Sequence, residues 1–141
     1  MDDLTGSWKL VSLQHKPAGG TEYYPLGKDP QGLLIYSRDG YMAIALSPRI
    51  RPYFQDSRLF MGTDTEKAVA FGTYVSYSGR YRISNDKVIH KIEMSLFPNW
   101  VGTEQERLFQ FDVQNQLVIS TPEYVSATGA METASLVWTR P

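Results

Sequence analysis

The feature that most constrains the fold is a series of eight short segments in which apolar and polar residues alternate with a period of two. This period is typical of β-strands with one buried face. The segments are 7–15, 31–37, 41 to 46 or 47, 77–84, 88–96, 104–111, 116–121 and 133–140. Three connections are tight turns rich in Asp and Asn, which tolerate the positive φ that such turns require. The pattern predicts an all-β protein built from successive antiparallel hairpins.

The lengths of the connections alternate along the chain. The first, third, fifth and seventh run to roughly 15, 29, 7 and 11 residues, whereas common hairpin loops have two to five. In an up-and-down sheet, alternate connections leave from the same end, so all the long ones collect at one end. Eight strands with one tight end and one elaborated end predict an eight-stranded up-and-down antiparallel barrel, which has room inside for side chains or one small ligand.

One helix is predicted, in the longest connection. Thr63 and Glu66 form the T-x-x-E pattern of a capping box, which satisfies free N–H groups in the first turn of a helix. The helix is expected to run from Asp64 to about Val75, with Phe71 on its apolar side. Because this connection leaves from the elaborated end, we expect the helix to lie over the open end of the barrel.

Composition excludes several classes of protein. Over 141 residues, an apolar fraction of 42% and a charged fraction of 21% are typical of one folded domain, here 1–141. Fourteen Lys and Arg against 15 Asp and Glu argue against a nucleic acid or a membrane surface as partner, since both need a basic face. Cysteine is absent, which excludes a thiol nucleophile and a disulfide framework. The polar residues 1–4 are unlike a signal peptide, and we expect a cytoplasmic protein.

Two neighbouring segments carry polar side chains on faces that should look inward. In segment 88–96, His90 is the one polar residue on the face it shares with Val88, Ile92, Met94 and Leu96. In segment 104–111, Arg107 lies on the face that carries Phe109 and Phe111. A hairpin turning near residue 100 pairs His90 with Phe109 and Ile92 with Arg107. We therefore expect His90 and Arg107 to line one cavity, about one diagonal step apart.

Two roles are open for this pair. In the first, Arg107 binds a carbonyl, enolate or carboxylate of a ligand, and His90 acts as donor or base. In the second, Arg107 bonds to neighbouring polar groups and His90 is a core histidine whose hydrogen bonds are satisfied. Tyr81 is a third catalytic candidate, because its hydroxyl should also face inward.

Further residues are candidates for contact with a ligand, on the grounds of aromatic character or position on a loop at the open end. They are Tyr36, Met94, Asn99, Trp100, Phe109 and Phe71. No metal site is predicted, since His90 and Glu93 lie on opposite faces of a strand and His15 is the only other imidazole. No motif for a nucleotide or another cofactor is present, and we expect none.

Two stretches carry a resemblance to a known family. Gly6-Ser7-Trp8 resembles the G-x-W signature of lipocalins, in which the Trp plugs the closed end of the barrel and an Arg of the last strand, here Arg140, packs over it. The stretch from Ser95 to Thr103, with the sequence SLFPNWVGT, is similar to the small lipocalin-like domain family of bacteria and fungi. The resemblance implies a lipocalin-like barrel, and some members of that family accompany pathways of specialised metabolism.

Three functions fit these observations. The first is binding of a small hydrophobic or aromatic molecule in the barrel cavity. The second is a cofactor-free isomerase, cyclase or dehydratase acting on a polyketide- or terpenoid-like metabolite. The third is a structural protein whose core is filled. The sequence leaves open whether a ligand is turned over, and it leaves open the oligomeric state.

Overall fold

One antiparallel sheet runs through most of the chain and closes on itself. The computed structural model describes residues 3–141, so Met1 and Asp2, which open the polar N-terminus, lie outside the described residues. The strands are β1 (Gly6–Pro17), β2 (Pro30–Tyr36), β3 (Tyr41–Pro48), β4 (Val75–Ser84), β5 (Lys87–Ser95), β6 (Glu104–Phe111), β7 (Leu117–Ser120), β8 (Tyr124–Val125) and β9 (Met131–Thr139). Each strand from β1 to β6 pairs with the next strand along the chain, and β7 pairs with β9. Strand β9 also pairs with β1, which closes the barrel.

The predicted eight-stranded barrel is confirmed, with one short additional strand. Strand β8 pairs with the start of β9, next to the stretch of β9 that β7 occupies. Pro122 lies between β7 and β8 and has no N–H to donate to a ladder. Pro122 therefore interrupts the strand that runs along β9 and divides it into β7 and β8.

The helix α1 (Asp64–Gly72) lies in the connection between β3 and β4. The predicted capping box is present, since Thr63 and Glu66 bond reciprocally to each other's backbone N–H. The helix ends three residues earlier than predicted, because Val75 pairs with Leu46 and begins β4. None of its residues is buried.

At the closed end, Trp8 and Arg140 pack together, and the polar groups of both have hydrogen-bond partners. Trp8 is buried, and its Nε1 donates to the carbonyl oxygen of Leu4 at 2.9 Å. The guanidinium of Arg140 lies 3.7 Å from the centre of the Trp8 ring and donates to the carbonyl oxygen of Thr5 at 2.9 Å. The predicted meeting of Trp8 and Arg140 is confirmed. Gly6 has a φ of 113°, and a Cβ there would come within 2.7 Å of the Arg140 guanidinium, so the motif needs its glycine.

The pairing of β5 with β6 differs from the prediction by four residues. Val88 pairs with Arg107, and His90 pairs with Gln105. The shift arises because a single turn of 3₁₀ helix, Pro98–Trp100, lengthens the connection, and Gly102 already bonds to Ile92 before β6 begins. Because the shift is an even number of residues, inward faces stay inward, and His90 and Arg107 remain one diagonal step apart.

A β-bulge between β4 and β5 corrects the predicted orientation of Met94. Ser78 pairs with Met94 but Gly79 pairs with Ile92, so Glu93 has no partner in the ladder. The extra residue reverses the alternation of faces beyond it. The side chain of Met94 therefore points outward and is 68% exposed. Gly79 permits the bulge, since a Cβ there would overlap the carbonyl oxygen of Lys91.

Candidate functional site

A cavity of about 580 Å³ lies inside the barrel and extends from the end where the long connections leave to Trp138, near the closed end. Every strand named above except β2 contributes to its walls. Much of the wall is apolar and is formed by Leu13, Ile44, Leu46, Val75, Ile119 and Leu136. These residues are inward-facing members of period-two segments, so the alternation that forms the strands also forms the cavity wall.

His90 lies in this wall between two tyrosine hydroxyl groups. Its Nε2 is 2.7 Å from the hydroxyl of Tyr36, and its Nδ1 is 2.8 Å from the hydroxyl of Tyr77. The imidazole is almost fully buried. Burial, together with the charge of Arg107, lowers the pKa of His90 to about 3. At neutral pH, His90 is therefore an uncharged imidazole with both nitrogens occupied.

Arg107 supplies a positive charge to the same wall. The side chain is half-buried, and its Nη1 donates to the backbone oxygen of Glu106 at 2.9 Å. Within residues 3–141, no carboxylate lies within ion-pair distance of it. Burial raises the pKa of Tyr77, and the charge of Arg107, followed by a hydrogen bond from Arg107, opposes that rise. A carbonyl oxygen or an anion in the cavity would find an uncompensated charge here.

A second polar cluster lies near the mouth, around a buried carboxylate. Glu132 accepts hydrogen bonds from Tyr124 at 2.6 Å and from Tyr23 at 2.8 Å, and its Oε2 lies 2.9 Å from Nδ1 of His15. The hydrogen bond from Tyr124, followed by the one from Tyr23 and the charge of His15, holds the pKa of Glu132 below its usual value. His15 and Tyr124 line the cavity. The carboxylate therefore orients a histidine at the entrance.

Trp138 contributes the one buried side-chain polar atom without a hydrogen-bond partner in the described part of the chain. Its ring is fully buried and lines the cavity, and its Nε1 has no acceptor. A buried donor without a partner costs about 1–3 kcal/mol.

Comparison with known proteins places this barrel in a family. A family profile described as a lipocalin-like domain matches residues 5–141. The chain belongs to the lipocalin-like domain family. One relative is the 4'-hydroxy-3'-methoxypropiophenone carrier protein ppsC of Aspergillus oryzae (strain ATCC 42149 / RIB 40). It is 36% identical over 95 residues, which cover 62% of this chain and 85% of the relative. The family resemblance seen in the sequence is confirmed.

Three of the nine site residues predicted from the sequence of this lipocalin-like domain come together in the cavity. They are His90, Arg107 and Trp100. Trp100 lies on the 3₁₀ turn, and its ring meets that of Tyr77 edge-to-face, with the ring centres 5.6 Å apart. Their role in function stays a prediction, because their position alone does not test it.

Three other candidates are buried or half-buried beside the cavity rather than in its wall. Tyr36 is fully buried behind His90. The hydroxyl of Tyr81 donates to the carbonyl oxygen of Ser37 at 2.8 Å, so it is directed to the backbone of the β2–β3 turn. Phe109 packs against the core and is not part of the cavity wall.

The remaining three candidates are exposed. Met94 points outward because of the bulge, and Asn99 lies on the exposed side of the 3₁₀ turn. Phe71 is 50% exposed on α1, beside a separate depression near Trp100. The connection that carries α1 leaves from the open end, but none of the residues of α1 lines the cavity, so the expected place of α1 over the mouth stays a prediction.

Sequence reasoning missed the mouth cluster, Tyr77 as a partner of His90, and Trp138 as a wall residue. A signal for Glu132 was present, since it precedes Ala134, Leu136 and Trp138 at a spacing of two and so belongs to the same inward face. No local signal connects Glu132 with His15, because the two meet only through the closure of the barrel between β1 and β9.

Two features are absent from the part of the chain that the structure describes, namely a metal-binding cluster and a membrane-spanning helix. Residues 3–141 contain no group of three or more His, Cys, Asp or Glu side chains arranged to hold a metal ion. None of the helices formed by these residues is long and apolar enough to cross a membrane.

Proposed function

We propose that this lipocalin-like protein binds a small aromatic ketone in the barrel cavity and acts as its carrier in specialised metabolism. The observation that carries the proposal is the cavity itself. Its volume of about 580 Å³ falls within the range of small-molecule sites, and a mostly apolar wall with a few polar groups is typical of them. The Aspergillus oryzae relative, named as a carrier of a hydroxy-methoxypropiophenone, supports this class of ligand.

The environment of His90 favours binding over catalysis at that residue. A general base works best when its pKa lies near the working pH and when one nitrogen is free to reach the substrate. His90 has a pKa lowered to about 3, and both of its nitrogens contact tyrosines. His90 is therefore poorly suited to take a proton from a ligand at neutral pH.

One observation favours the alternative, a cofactor-free isomerase, cyclase or dehydratase acting on a polyketide- or terpenoid-like metabolite. His15 lines the cavity, and the buried Glu132 holds its Nδ1. A carboxylate that orients a histidine in this way leaves Nε2 available as a base. In this second candidate function, His15 takes the role that the sequence analysis gave to His90.

The test is a calorimetric titration of the purified protein with 4'-hydroxy-3'-methoxypropiophenone, followed by chromatographic recovery of the compound. We expect one binding site with a negative heat-capacity change, because apolar surface is buried, and unchanged compound. Absence of binding would overturn the proposal, and chemically altered compound would support the alternative. A cytoplasmic location stays a prediction, which cell fractionation would test.

A matched pair of variants locates the site. Ala134→Phe adds a ring to the cavity wall and should reduce affinity at least about tenfold by occupying the ligand's space. Ala43→Phe adds the same ring to the outer face of β3, where residue 43 is exposed, and should leave affinity unchanged. Equal affinity in both variants would show that the ligand binds outside the cavity.

A further inference from the structure

The hydroxyl groups around His90 can be arranged in only one satisfactory way. A neutral imidazole has one nitrogen that donates and one that accepts. Both nitrogens of His90 face a tyrosine hydroxyl, so one tyrosine must donate to the ring and the other must accept from it. Both tyrosines are buried, but only Tyr77 lines the cavity, and this difference decides which one donates.

Tyr36 is the tyrosine that donates. It is 0% exposed, and among residues 3–141 its hydroxyl has no hydrogen-bond partner other than Nε2 of His90. If Nε2 carried the proton, the hydroxyl proton of Tyr36 would be buried without an acceptor, at a cost of about 1–3 kcal/mol. Tyr36 therefore donates to Nε2, and the proton of the imidazole resides on Nδ1.

It follows that Tyr77 accepts a hydrogen bond from His90 and keeps its own proton free. The Tyr77 oxygen receives the Nδ1–H of His90 at 2.8 Å, and its hydroxyl proton has no acceptor among the described residues. Tyr77 lines the cavity, as do Arg107 and Trp138. Neither the Tyr77 hydroxyl proton nor the Arg107 guanidinium has a carboxylate partner among residues 3–141.

We propose that the Tyr77 hydroxyl, with its proton directed into the cavity by the Tyr36–His90 pair, donates a hydrogen bond to a carbonyl oxygen of the bound molecule. Tyr77 is the contact residue, and Tyr36 and His90 are positioning residues. Arg107 adds a positive charge beside Tyr77, which strengthens the preference for an oxygen acceptor. This inference rests on the proposed function and adds the group that distinguishes a ketone from an equally apolar molecule of the same shape.

The test compares two probes that differ only at the carbonyl. The first is 4'-hydroxy-3'-methoxypropiophenone, and the second is 2-methoxy-4-propylphenol, in which a methylene replaces the carbonyl group. A site with a buried donor discriminates against a ligand that leaves the donor unpaired. The protein should bind the ketone about tenfold or more tightly than the methylene compound, a difference of roughly 1.4 kcal/mol.

The variant Tyr77→Phe removes the hydroxyl and little else. We expect it to abolish most of the preference by weakening the ketone about tenfold, while affinity for the methylene compound stays within about twofold. Tyr81→Phe is the matched control, because the Tyr81 hydroxyl bonds to the Ser37 carbonyl and does not line the cavity. The ratio of the two affinities within one variant does not depend on how much of that variant is folded.

The positioning role has its own readout. Tyr36→Phe removes the donor to Nε2, so the imidazole proton is free to move to Nε2 and Tyr77 is free to donate to Nδ1 instead of to the ligand. The preference for the ketone should then fall although residue 36 does not touch the cavity. Nitrogen-15 chemical shifts of His90 in the unaltered protein should show the Nδ1–H tautomer.

The outcomes separate the inference from the function on which it rests. If neither probe binds the unaltered protein, the proposed function fails. If both probes bind and Tyr77→Phe leaves the ratio unchanged, the inference is overturned and the proposed function stands. An Nε2–H tautomer, or an unchanged ratio in Tyr36→Phe, would overturn the role of the Tyr36–His90 pair.

Discussion

The two ends of the barrel use their polar groups differently. At the closed end, the N–H of Trp8 and the guanidinium of Arg140 both donate to backbone oxygens nearby. At the open end, the charge of Arg107 has no carboxylate within ion-pair distance in the described chain. Satisfied groups stabilise the folded state, whereas a charge in a cavity wall without a carboxylate partner is available to a bound molecule. The contrast suggests that stability resides at one end and recognition at the other.

The largest expected effect is on stability at the closed end. Trp8→Ala removes a fully buried indole and should lower the free energy of unfolding by about 3–5 kcal/mol, measured by urea denaturation. Trp100→Ala is the comparison at the open end, where the indole is half-buried in the cavity wall. It should lose less stability and weaken ligand binding. A larger loss of stability in Trp100→Ala than in Trp8→Ala would contradict the division between the two ends.

An intermediate effect is the pH dependence that His90 contributes. Because burial lowers its pKa from 6.5 to about 3, the folded protein binds fewer protons than the unfolded chain between these values. Stability should therefore be full above pH 6.5 and fall on acidification, by roughly 1.4 kcal/mol per pH unit within the window.

Urea denaturation at several pH values between about 5.5 and 7 measures this slope in a range where most carboxylates are already ionised. In His90→Gln, residue 90 cannot take up a proton. The free energy of unfolding should therefore change less with pH, whatever the stability of the variant at pH 7. Equal slopes in the two proteins would show that His90 titrates alike in the folded and unfolded states.

The smallest expected effect on stability comes from Arg107. Arg107→Met removes a half-buried charge that lacks a carboxylate partner, so the melting temperature should stay equal or rise while affinity for the ketone falls. Arg140→Met is the matched control at the closed end. It removes the contact with Trp8, should cost about 0.5–1 kcal/mol, and should leave affinity unchanged. A large loss of stability in Arg107→Met with undiminished affinity would make Arg107 a structural residue.

Much of the fold could be predicted from local patterns. The period of two located the eight long strands, because alternate side chains of a strand face opposite sides of a sheet. The capping box located the start of α1, because its bonds join residues three apart. Gly6, Trp8 and Arg140 were correctly placed at the closed end, since the alternation of short and long connections brings both chain ends there.

The candidate site was predicted only in part. His90 and Arg107 were correctly placed on inward faces, because face depends on parity alone. The prediction that Met94 faces inward was wrong, because the bulge at Glu93 reverses the alternation of faces. The bulge depends on Gly79 in the neighbouring strand. The alternation of residues within one strand does not indicate where pairing with an adjacent strand introduces a bulge.

The sequence by itself therefore determined the strands of this lipocalin-like barrel, most of the side chains that face inward, and the position of the closed end. Only the tertiary structure decided which polar groups meet: Tyr36 and Tyr77 on His90, and His15 on Glu132. The physical reason is that an even shift in strand register leaves every apolar face buried and the pattern unchanged. Register is instead set by the turns and by barrel closure, as the four-residue shift between β5 and β6 shows, and contacts between distant strands follow from register.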